Sequence, residues 1–192
     1  MCKQGAAGTT EYDRRTRASC RAYPYTCTSG DTVSGRPGKL ADARAFREGK
    51  APIRERITCT PQEVRHATIR MIQVLASYGL SVEDCVRAEV VLAEVMNNVT
   101  EHAFRCRLPG FLSVSILRDG RSLCVTVEDN GAPMPGNCLP QGHPQDLTVD
   151  LGDLPEGGFG WYLIRELTED LCYQRRNEVN LLTFRLTTAE EW

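Results

Sequence analysis

The chain has 192 residues, of which 41% are hydrophobic, so we expect one domain with an ordinary core and an appendage. Its formal net charge of −2 argues against a nucleic-acid-binding protein and against a basic membrane-binding surface. The sequence contains no apolar run as long as a signal peptide or a membrane span. These features predict a cytoplasmic protein that contacts neither nucleic acid nor membrane directly.

The cysteine and lysine content narrows the possible chemistry. Nine cysteines are present, an odd number, and none forms a CxxC pair, which favours a reducing compartment over a disulfide framework or a zinc site. Residues 51–192 contain no lysine, which excludes a Walker-type P-loop. A phosphate group bound there would have to be contacted by arginine, backbone amides or a metal ion.

Residues 1–50 differ from the rest of the chain. They contain ten Lys and Arg against five Asp and Glu, are rich in Gly, Ser, Thr, Arg and Ala, and lack hydrophobic periodicity. This composition predicts a disordered, mildly basic N-terminal tail, to which we assign no chemistry. The folded domain is therefore expected to comprise residues 51–192.

The first predicted elements are a strand and two helices. A weak alternation between Ile53 and Cys59 favours a first strand. Thr60-Pro61-Gln62-Glu63 is typical of a capped helix start, and Gly79 is typical of a helix end. Ser81 is expected to cap a second helix over residues 83–104. Its predicted apolar stripe consists of Val86, Val90, Val91, Val95 and Val99.

A polar strip accompanies that stripe on the second helix. Its members follow helical spacing and are Glu94, Asn97, Asn98, Glu101 and His102. Neither lysine nor arginine lies between Arg87 and Arg105, so the oxygens of the strip have no counter-charge from these residues on the helix. Such a strip suits a bound cation, although an ordinary polar helix surface is the alternative.

Two strands are predicted at 111–117 and 122–128, with an Asp-Gly hairpin turn between them. Residues 133–156 are rich in proline and are expected to form a lid. A helix then begins around the glycine run 157–160, and strands around 172–175 and 181–186 complete the chain. This order predicts an α+β fold, a two-layer α/β sandwich in which helices cover one face of a mixed, mainly antiparallel sheet.

Two further motifs bear on function. Gly157-Gly158-Phe159-Gly160 opens a helix, where backbone N–H groups and the helix dipole can bind phosphate oxygens. Asp129 and Gly131 end a strand, so a carboxylate there could accept a hydrogen bond from an exocyclic amine such as that of adenine. Glycines used only for packing and an Asp used only for its turn are the alternatives.

Taken together, these motifs resemble the three conserved boxes of the Bergerat ATP-binding fold, the histidine kinase-like ATPase (GHKL) fold of gyrase, heat-shock chaperones, histidine kinases and MutL. The resemblance covers roughly residues 53–187. It is greatest to the anti-sigma-factor serine/threonine kinases of the RsbW and SpoIIAB kind. It rests on three segments, residues 94–104 (EVMNNVTEHAF), 128–135 (EDNGAPMP) and 154–164 (LPEGGFGWYLI).

The resemblance implies ATP and Mg²⁺ as cofactors and assigns roles to individual residues. Asn98 matches the Mg²⁺ ligand, Glu94 the catalytic carboxylate, and Asp129 the adenine-reading carboxylate with Gly131 beneath the ring. Gly157, Gly158 and Gly160 match the glycines that wrap the triphosphate, and Phe159 lies among them. Asn97 and His102 are expected near the nucleotide, and Glu101 is expected at the surface. Because residues 51–192 contain no lysine, Arg105 is the candidate phosphate contact, with a solvated arginine as the alternative. Phe159 and Trp161 depart from the family by replacing commoner aliphatic residues.

The function implied is that of a protein-serine kinase and anti-sigma factor. Such a protein binds a sigma factor and phosphorylates a serine of a STAS-type anti-anti-sigma protein, and it is expected to be a homodimer. A non-catalytic ATP-binding switch is the second hypothesis. A fragment of a sensor histidine kinase is the third, but residues 1–60 carry no helical pair with a phosphoacceptor histidine.

Overall fold

A computed structural model of the protein describes residues 46, 48–49, 51–104, 110–142 and 159–189. Within these ranges the strands are β1 (Ile53–Ile57), β2 (Leu112–Asp119), β3 (Ser122–Asp129), β4 (Glu169–Arg176) and β5 (Val179–Thr187). The helices are α1 (Pro61–Ser77), α2 (Val82–Asn98) and α3 (Phe159–Leu167), with a π-helical turn at Val99–Ala103 and a 3₁₀ turn at Pro135–Asn137. The predicted order of elements and the α+β class are confirmed.

The five strands form one sheet in the order β1-β2-β3-β5-β4. All four pairings are antiparallel. The prediction of a mixed sheet is therefore wrong for the part of the chain that the structure describes. The β2–β3 hairpin has a two-residue loop, residues 120–121, because Asp119 still pairs with Ser122. The loop lies one residue later than the predicted Asp-Gly turn. Gly120 provides the positive φ of +59° that this loop requires.

Helix α1 begins as its sequence predicts. The Thr60 hydroxyl accepts a hydrogen bond from the Glu63 backbone N–H at 3.2 Å, and Pro61 occupies the first turn. The buried face then presents Val64, Ala67, Thr68, Met71 and Leu75 to the core. Gly79, with φ of +103°, allows the chain to turn away from the helix.

Helix α2 packs on α1 and on α3, and its buried face is rotated from the predicted one. The Ser81 hydroxyl caps it by accepting from the Asp84 backbone N–H at 3.1 Å. Buried residues are Asp84, Cys85, Ala88, Val91, Leu92, Val95 and Met96. Val86 lies on the opposite side and is 55% exposed, so its assignment to the apolar stripe is wrong. None of the helices in the described ranges is both long and apolar enough to cross a membrane.

The core lies between these helices and one face of the sheet. Alternate residues of β2 and β5 are buried, including Leu112, Val114, Ile116, Leu182 and Phe184, and they join the apolar faces of the helices in one cluster. The antiparallel sheet therefore has a core face and an opposite face, as the alternation of its residues predicts.

Phe46 extends the packed domain upstream of residue 51. Its side chain is fully buried, and its ring lies 5.2 Å from the ring of Tyr78, measured between centroids. The predicted boundary of the tail at residue 50 is therefore wrong at Phe46. Apart from Glu48 and Gly49, the rest of 1–50 lies outside the described residues. In the described ranges, Cys59, Cys85 and Cys138 are free thiols.

Candidate functional site

A cavity of about 460 Å³ opens between the end of α2, the sheet, the loop after β3 and the first turn of α3. Most of its lining is apolar, and a few polar groups converge on it, which is the usual composition of a small-molecule site. The lining residues are Val95, Asn98, Val99, Glu101, His102, Ala103, Val127, Asp129, Ala132, Pro133, Met134, Pro135, Pro140, Trp161, Tyr173, Asn180 and Leu182.

Asp129 is the buried carboxylate of this cavity. It is the last residue of β3 and is only 4% exposed. Its Oδ1 accepts hydrogen bonds from the Gly131 backbone N–H and from Asn180 Nδ2, both at 2.8 Å. Burial raises the pKa of Asp129, whereas these two bonds and the charge of Arg175 act to lower it. The surroundings thus partly compensate an ionised carboxylate that the cavity can present to a ligand.

The Asp129 charge also affects the thiol of Cys59, which follows β1. Burial, and in second place the negative charge of Asp129, raise the pKa of Cys59 to about 11. A thiol with such a pKa stays protonated at neutral pH and is a poor nucleophile. Cys59 is therefore a packing residue beside the site.

Gly131 allows the loop after β3 to approach the π-helical turn. A Cβ at position 131 would lie 2.7 Å from the Cβ of Ala103 and 2.9 Å from its backbone carbonyl carbon and oxygen. The neighbouring Ala132 N–H donates to the Ala103 carbonyl at 2.9 Å. This close approach demands glycine because the atoms it meets include backbone. Its predicted position beneath a bound ring stays a prediction.

The polar strip of α2 divides between the cavity and its surroundings. Asn98, Glu101 and His102 line the cavity, and Glu101 and His102 are also exposed at its rim. Asn97 is half-buried and is not a lining residue. Asn98 Nδ2 donates to the backbone carbonyl of Glu94 at 2.7 Å, a bond that leaves the amide oxygen available for another partner. Glu101 is exposed, as expected, and it also lines the cavity, whereas the expected nearness of Asn97 and His102 to a nucleotide stays a prediction.

Glu94 lies beside the start of α3. A Cβ on Gly160 would collide with Oε2 of Glu94 and would come within 3.5 Å of Asn98 Nδ2. Glycine at 160 thus lets the first turn of α3 pack directly against these two side chains. Phe159, the first residue of α3, is half-buried and does not line the cavity. Arg105, Gly157 and Gly158 lie outside the described residues, as does the part of the predicted lid from 143 to 156.

Among the aromatic and polar lining residues, Trp161, Tyr173 and Asn180 were not predicted from the sequence as site residues. Trp161 belongs to the third motif, and its position next to the glycine run is the sequence signal that could have identified it as a lining residue. Tyr173 and Asn180 come from β4 and β5, far along the chain from Asp129. Asn180 faces Asp129 only because β3 pairs with β5 in that register, which no local sequence pattern reveals.

The donor set fits Mg²⁺ only if phosphates and water complete the coordination shell. Among the described residues there is no group of three or more His, Cys, Asp and Glu side chains that could hold a metal ion. Asn98 offers one uncharged oxygen, with the Glu94 carboxylate nearby, and Mg²⁺ commonly takes one or two protein ligands together with substrate phosphates. Asn98 and Glu94 therefore fit a metal ion that arrives with a nucleotide.

The fold is an α+β domain with a mostly apolar cavity, of the size of a small-molecule site, between its helices and its sheet. Residues 57–186 match the family described as the histidine kinase-like ATPase domain, and the chain belongs to that family. The predicted family and fold are confirmed.

Individual relatives lie in the predicted branch of the family. The chain is 32% identical over 98 residues to the serine/threonine-protein kinase BtrW of Bordetella bronchiseptica, covering 51% of this chain and 67% of that protein. It is 28% identical over 140 residues to the serine-protein kinase RsbW of Bacillus cereus, covering 72% and 87%.

A solved structure also resembles this fold. It is the crystal structure of the RsbU and RsbW domains of a Mycobacterium tuberculosis protein, which aligns with a TM-score of 0.50 at 14% identity. The alignment covers 71% of this chain and 32% of that one, so the present chain spans about a third of it. At this identity the likeness concerns the fold alone.

Proposed function

We propose that the protein is an ATP-dependent protein-serine kinase that also acts as an anti-sigma factor. Its substrate would be a serine of a STAS-type anti-anti-sigma protein, and phosphorylation would control whether the sigma factor is bound. The observation that carries this proposal is the buried Asp129 carboxylate in a cavity that Asn98 of α2 and Trp161 of α3 also line. We further propose that the protein is a cytoplasmic homodimer.

The base end of the cavity supports selection of adenine. Asp129 Oδ1 is occupied by two donors, and in its ionised form the remaining oxygen can only accept a hydrogen bond. The exocyclic amine of adenine is a donor, whereas a purine with a carbonyl oxygen at that position presents an acceptor. The apolar walls, among them Val95, Val127 and Leu182, suit the faces of a purine ring.

The other end supports phosphoryl transfer. Glu94, half-buried beside Gly160, is our candidate for the group that orients the attacking serine hydroxyl and accepts its proton. Asn98 is the candidate metal ligand through its amide oxygen. Mg²⁺, when bound, would neutralise charge on the phosphates and on the leaving ADP oxygen. We propose that Gly157, Gly158 and Gly160 wrap the triphosphate and that Arg105 contacts a phosphate. Asn97, His102 and Phe159 are proposed to lie near the nucleotide.

The relatives favour a kinase over a passive switch. BtrW and RsbW are named as protein kinases, and the RsbW alignment covers most of that protein. Glu94 and Asn98 of α2 both lie beside Gly160 at the start of α3, where a reacting γ-phosphate would be expected. A switch without turnover would need the cavity and the metal ligand Asn98, but not the carboxylate of Glu94 beside it.

The experiment is a label-transfer assay with Mg-ATP carrying a labelled γ-phosphate, the purified protein and a lysate of its source. Wild type is compared with Glu94→Gln and Asn98→Ala. Glu89→Gln serves as the matched control, because Glu89 is an exposed carboxylate on the same helix outside the cavity lining. We expect acid-stable phosphoserine on a small protein with wild type and Glu89→Gln, and a loss of at least about 100-fold with the other two.

Two results would contradict the proposal. Acid-labile label on a histidine would point to the sensor-kinase branch of the family. ATP binding without transfer to any protein would favour a non-catalytic switch.

A further inference from the structure

Asn180 is the centre of a hydrogen-bond network at the base of the cavity. It is 4% exposed, and its Nδ2 donates to Asp129 Oδ1 at 2.8 Å and to the Ala132 carbonyl at 3.0 Å. Its Oδ1 accepts from the Tyr173 hydroxyl at 2.8 Å and from Arg175 Nη1 at 2.6 Å. All four hydrogen-bonding positions of the side-chain amide are thus used.

The chemistry of the partners determines the orientation of this amide. A guanidinium can only donate, so the atom facing Arg175 must be the amide oxygen. An ionised carboxylate can only accept, so the atom facing Asp129 must be the amide nitrogen. Rotating the amide by 180° would place acceptor against acceptor and donor against donor. Asn180 therefore has a single favourable orientation.

Tyr173 extends the network to the loop that follows β3. Its hydroxyl donates to Asn180 and accepts from the Met134 backbone N–H at 3.0 Å. Arg175 adds a second connection by donating to the Gly131 carbonyl at 2.9 Å. The loop backbone at positions 131, 132 and 134 is thereby attached to β4 and β5. Met134 and Tyr173 both line the cavity, so movement of this backbone would change its shape.

The network also decides which oxygen of Asp129 can meet a ligand. Oδ1 already accepts from Gly131 and Asn180, whereas Oδ2 carries no hydrogen bond within the described part of the chain. Losing the bond to Asn180 would release one of the two contacts that fix the carboxylate. The carboxylate could then rotate, and its acceptor would no longer point in one direction.

We propose that Asn180 and Tyr173 are positioning residues of the nucleotide site, which hold Asp129 with one oxygen directed at the base and fasten the following loop to the sheet. This inference rests on the proposed binding of ATP. It assigns discrimination between purines to the Asp129–Asn180 pair rather than to Asp129 alone. Arg175 supports the pair by occupying the amide oxygen of Asn180 and the Gly131 carbonyl.

The test compares the affinities of the full chain for ATP and for inosine triphosphate, measured by calorimetry. Inosine triphosphate has a carbonyl oxygen where adenine has its amine. The variants are Asn180→Leu, which keeps the approximate size, and Tyr173→Phe, which removes only the hydroxyl. Tyr162→Phe is the matched control, because Tyr162 is a half-buried tyrosine of α3 that does not line the cavity.

We expect wild type and Tyr162→Phe to prefer ATP strongly. Asn180→Leu should reduce the ratio of the two affinities by about tenfold, the effect of losing one hydrogen bond to a charged group. Tyr173→Phe should reduce that ratio by about threefold and should accelerate hydrogen exchange of the Met134 amide by at least about tenfold. A purely structural role would weaken both nucleotides equally and leave the ratio unchanged.

Failure of the inference is distinguishable from failure of the proposed function. If wild type binds ATP but both variants keep its preference, and the Met134 amide exchanges as before, the positioning role is overturned while ATP binding stands. If wild type binds neither nucleotide, the proposed function fails and the positioning role fails with it. Tyr173→Phe keeps the aromatic ring, so it provides an answer even if Asn180→Leu does not fold.

Discussion

The two ends of the cavity differ in how completely their polar groups are already bonded. At the sheet end, Asp129 and Asn180 are buried and share a dense set of hydrogen bonds with strands and loop. At the helix end, Asn98 is half-buried and Glu101 and His102 are exposed, and the half-buried Glu94 lies beside Gly160 outside the cavity lining. The fold therefore prepares the sheet end, which we propose binds the base, in advance. The helix end, which we propose binds the phosphates, has fewer hydrogen-bond partners among the described residues and is suited to be completed by nucleotide and metal.

The largest effect should come from inverting the hydrogen-bond character of the prepared end. In Asp129→Asn, the amide oxygen can still accept from Gly131 and Asn180, so its nitrogen would face the cavity as a donor. We expect affinity for ATP to fall by about 100-fold or more, because a donor would oppose the adenine amine. Affinity for inosine triphosphate should fall much less.

Calorimetric titration of both nucleotides checks this inversion. Asp119→Asn is the control, since Asp119 is an aspartate at the end of β2 with a 58% exposed side chain. Equal losses for the two nucleotides in Asp129→Asn would mean that the carboxylate does not read the base.

The sequence predicts the local parts of this site better than their assembly. The helix caps at Thr60 and Ser81 and the turn at Asp129 depend on neighbouring residues, so short patterns indicate them. Asn180 could not be found in this way, because its partnership with Asp129 depends on the β3–β5 register across 51 positions. Long-range pairing leaves no trace in one sequence.

The errors at Phe46 and Val86 have the same origin. Phe46 is an isolated aromatic in a polar stretch, and only its contact with Tyr78 reveals that it is part of the core. Val86 is apolar but lies on the face of α2 that the rest of the described fold leaves open. Hydrophobicity alone does not show which side of a helix faces its neighbours.

A pair of glycine substitutions sharpens the comparison between the rigid and the adjustable end. In Gly131→Ala, the new Cβ meets the backbone of Ala103, which cannot move without disturbing the π-helical turn. We expect the free energy of unfolding to fall by about 1–3 kcal/mol. In Gly160→Ala, the Cβ meets the end of the Glu94 side chain, which can rotate away. Its free energy of unfolding should change by less than about 0.5 kcal/mol.

For the rate of phosphoryl transfer the order of the two variants should be reversed, so that Gly160→Ala is affected more strongly than Gly131→Ala. Displacing Glu94 in Gly160→Ala should slow phosphoryl transfer by about 100-fold, since catalytic groups misplaced by about 1 Å lose that much. Urea unfolding followed by circular dichroism measures the first effect, and label transfer at saturating ATP measures the second. If Gly160→Ala were destabilised as strongly as Gly131→Ala, the helix end would be as rigid as the sheet end, and the two ends of the cavity would not differ in rigidity.

The smallest expected effect concerns pH and again originates at Asp129. Burial raises its pKa, against the opposing influence of Asn180, Gly131 and Arg175. An acid with a raised pKa in the folded state adds stability that is fully present below its unfolded value, about 3.9, and is lost as pH rises through the folded value. Affinity for an amine donor has the opposite dependence, because only the ionised carboxylate accepts without also presenting a proton. Acidification should therefore weaken ATP binding while the contribution of Asp129 to stability grows.

Urea unfolding of wild type and of Asp129→Asn across the mildly acidic range isolates this contribution, since every other titrating group is common to both proteins. The difference in unfolding free energy between them should shift in favour of wild type as the pH falls. Cys59 offers an independent check, because the Asp129 charge contributes to its raised pKa of about 11. In Asp129→Asn the thiol should titrate at lower pH in a spectroscopic measurement. An unchanged Cys59 titration would mean that Asp129 carries little negative charge in the folded protein, and the base-reading role would then need a neutral carboxyl group.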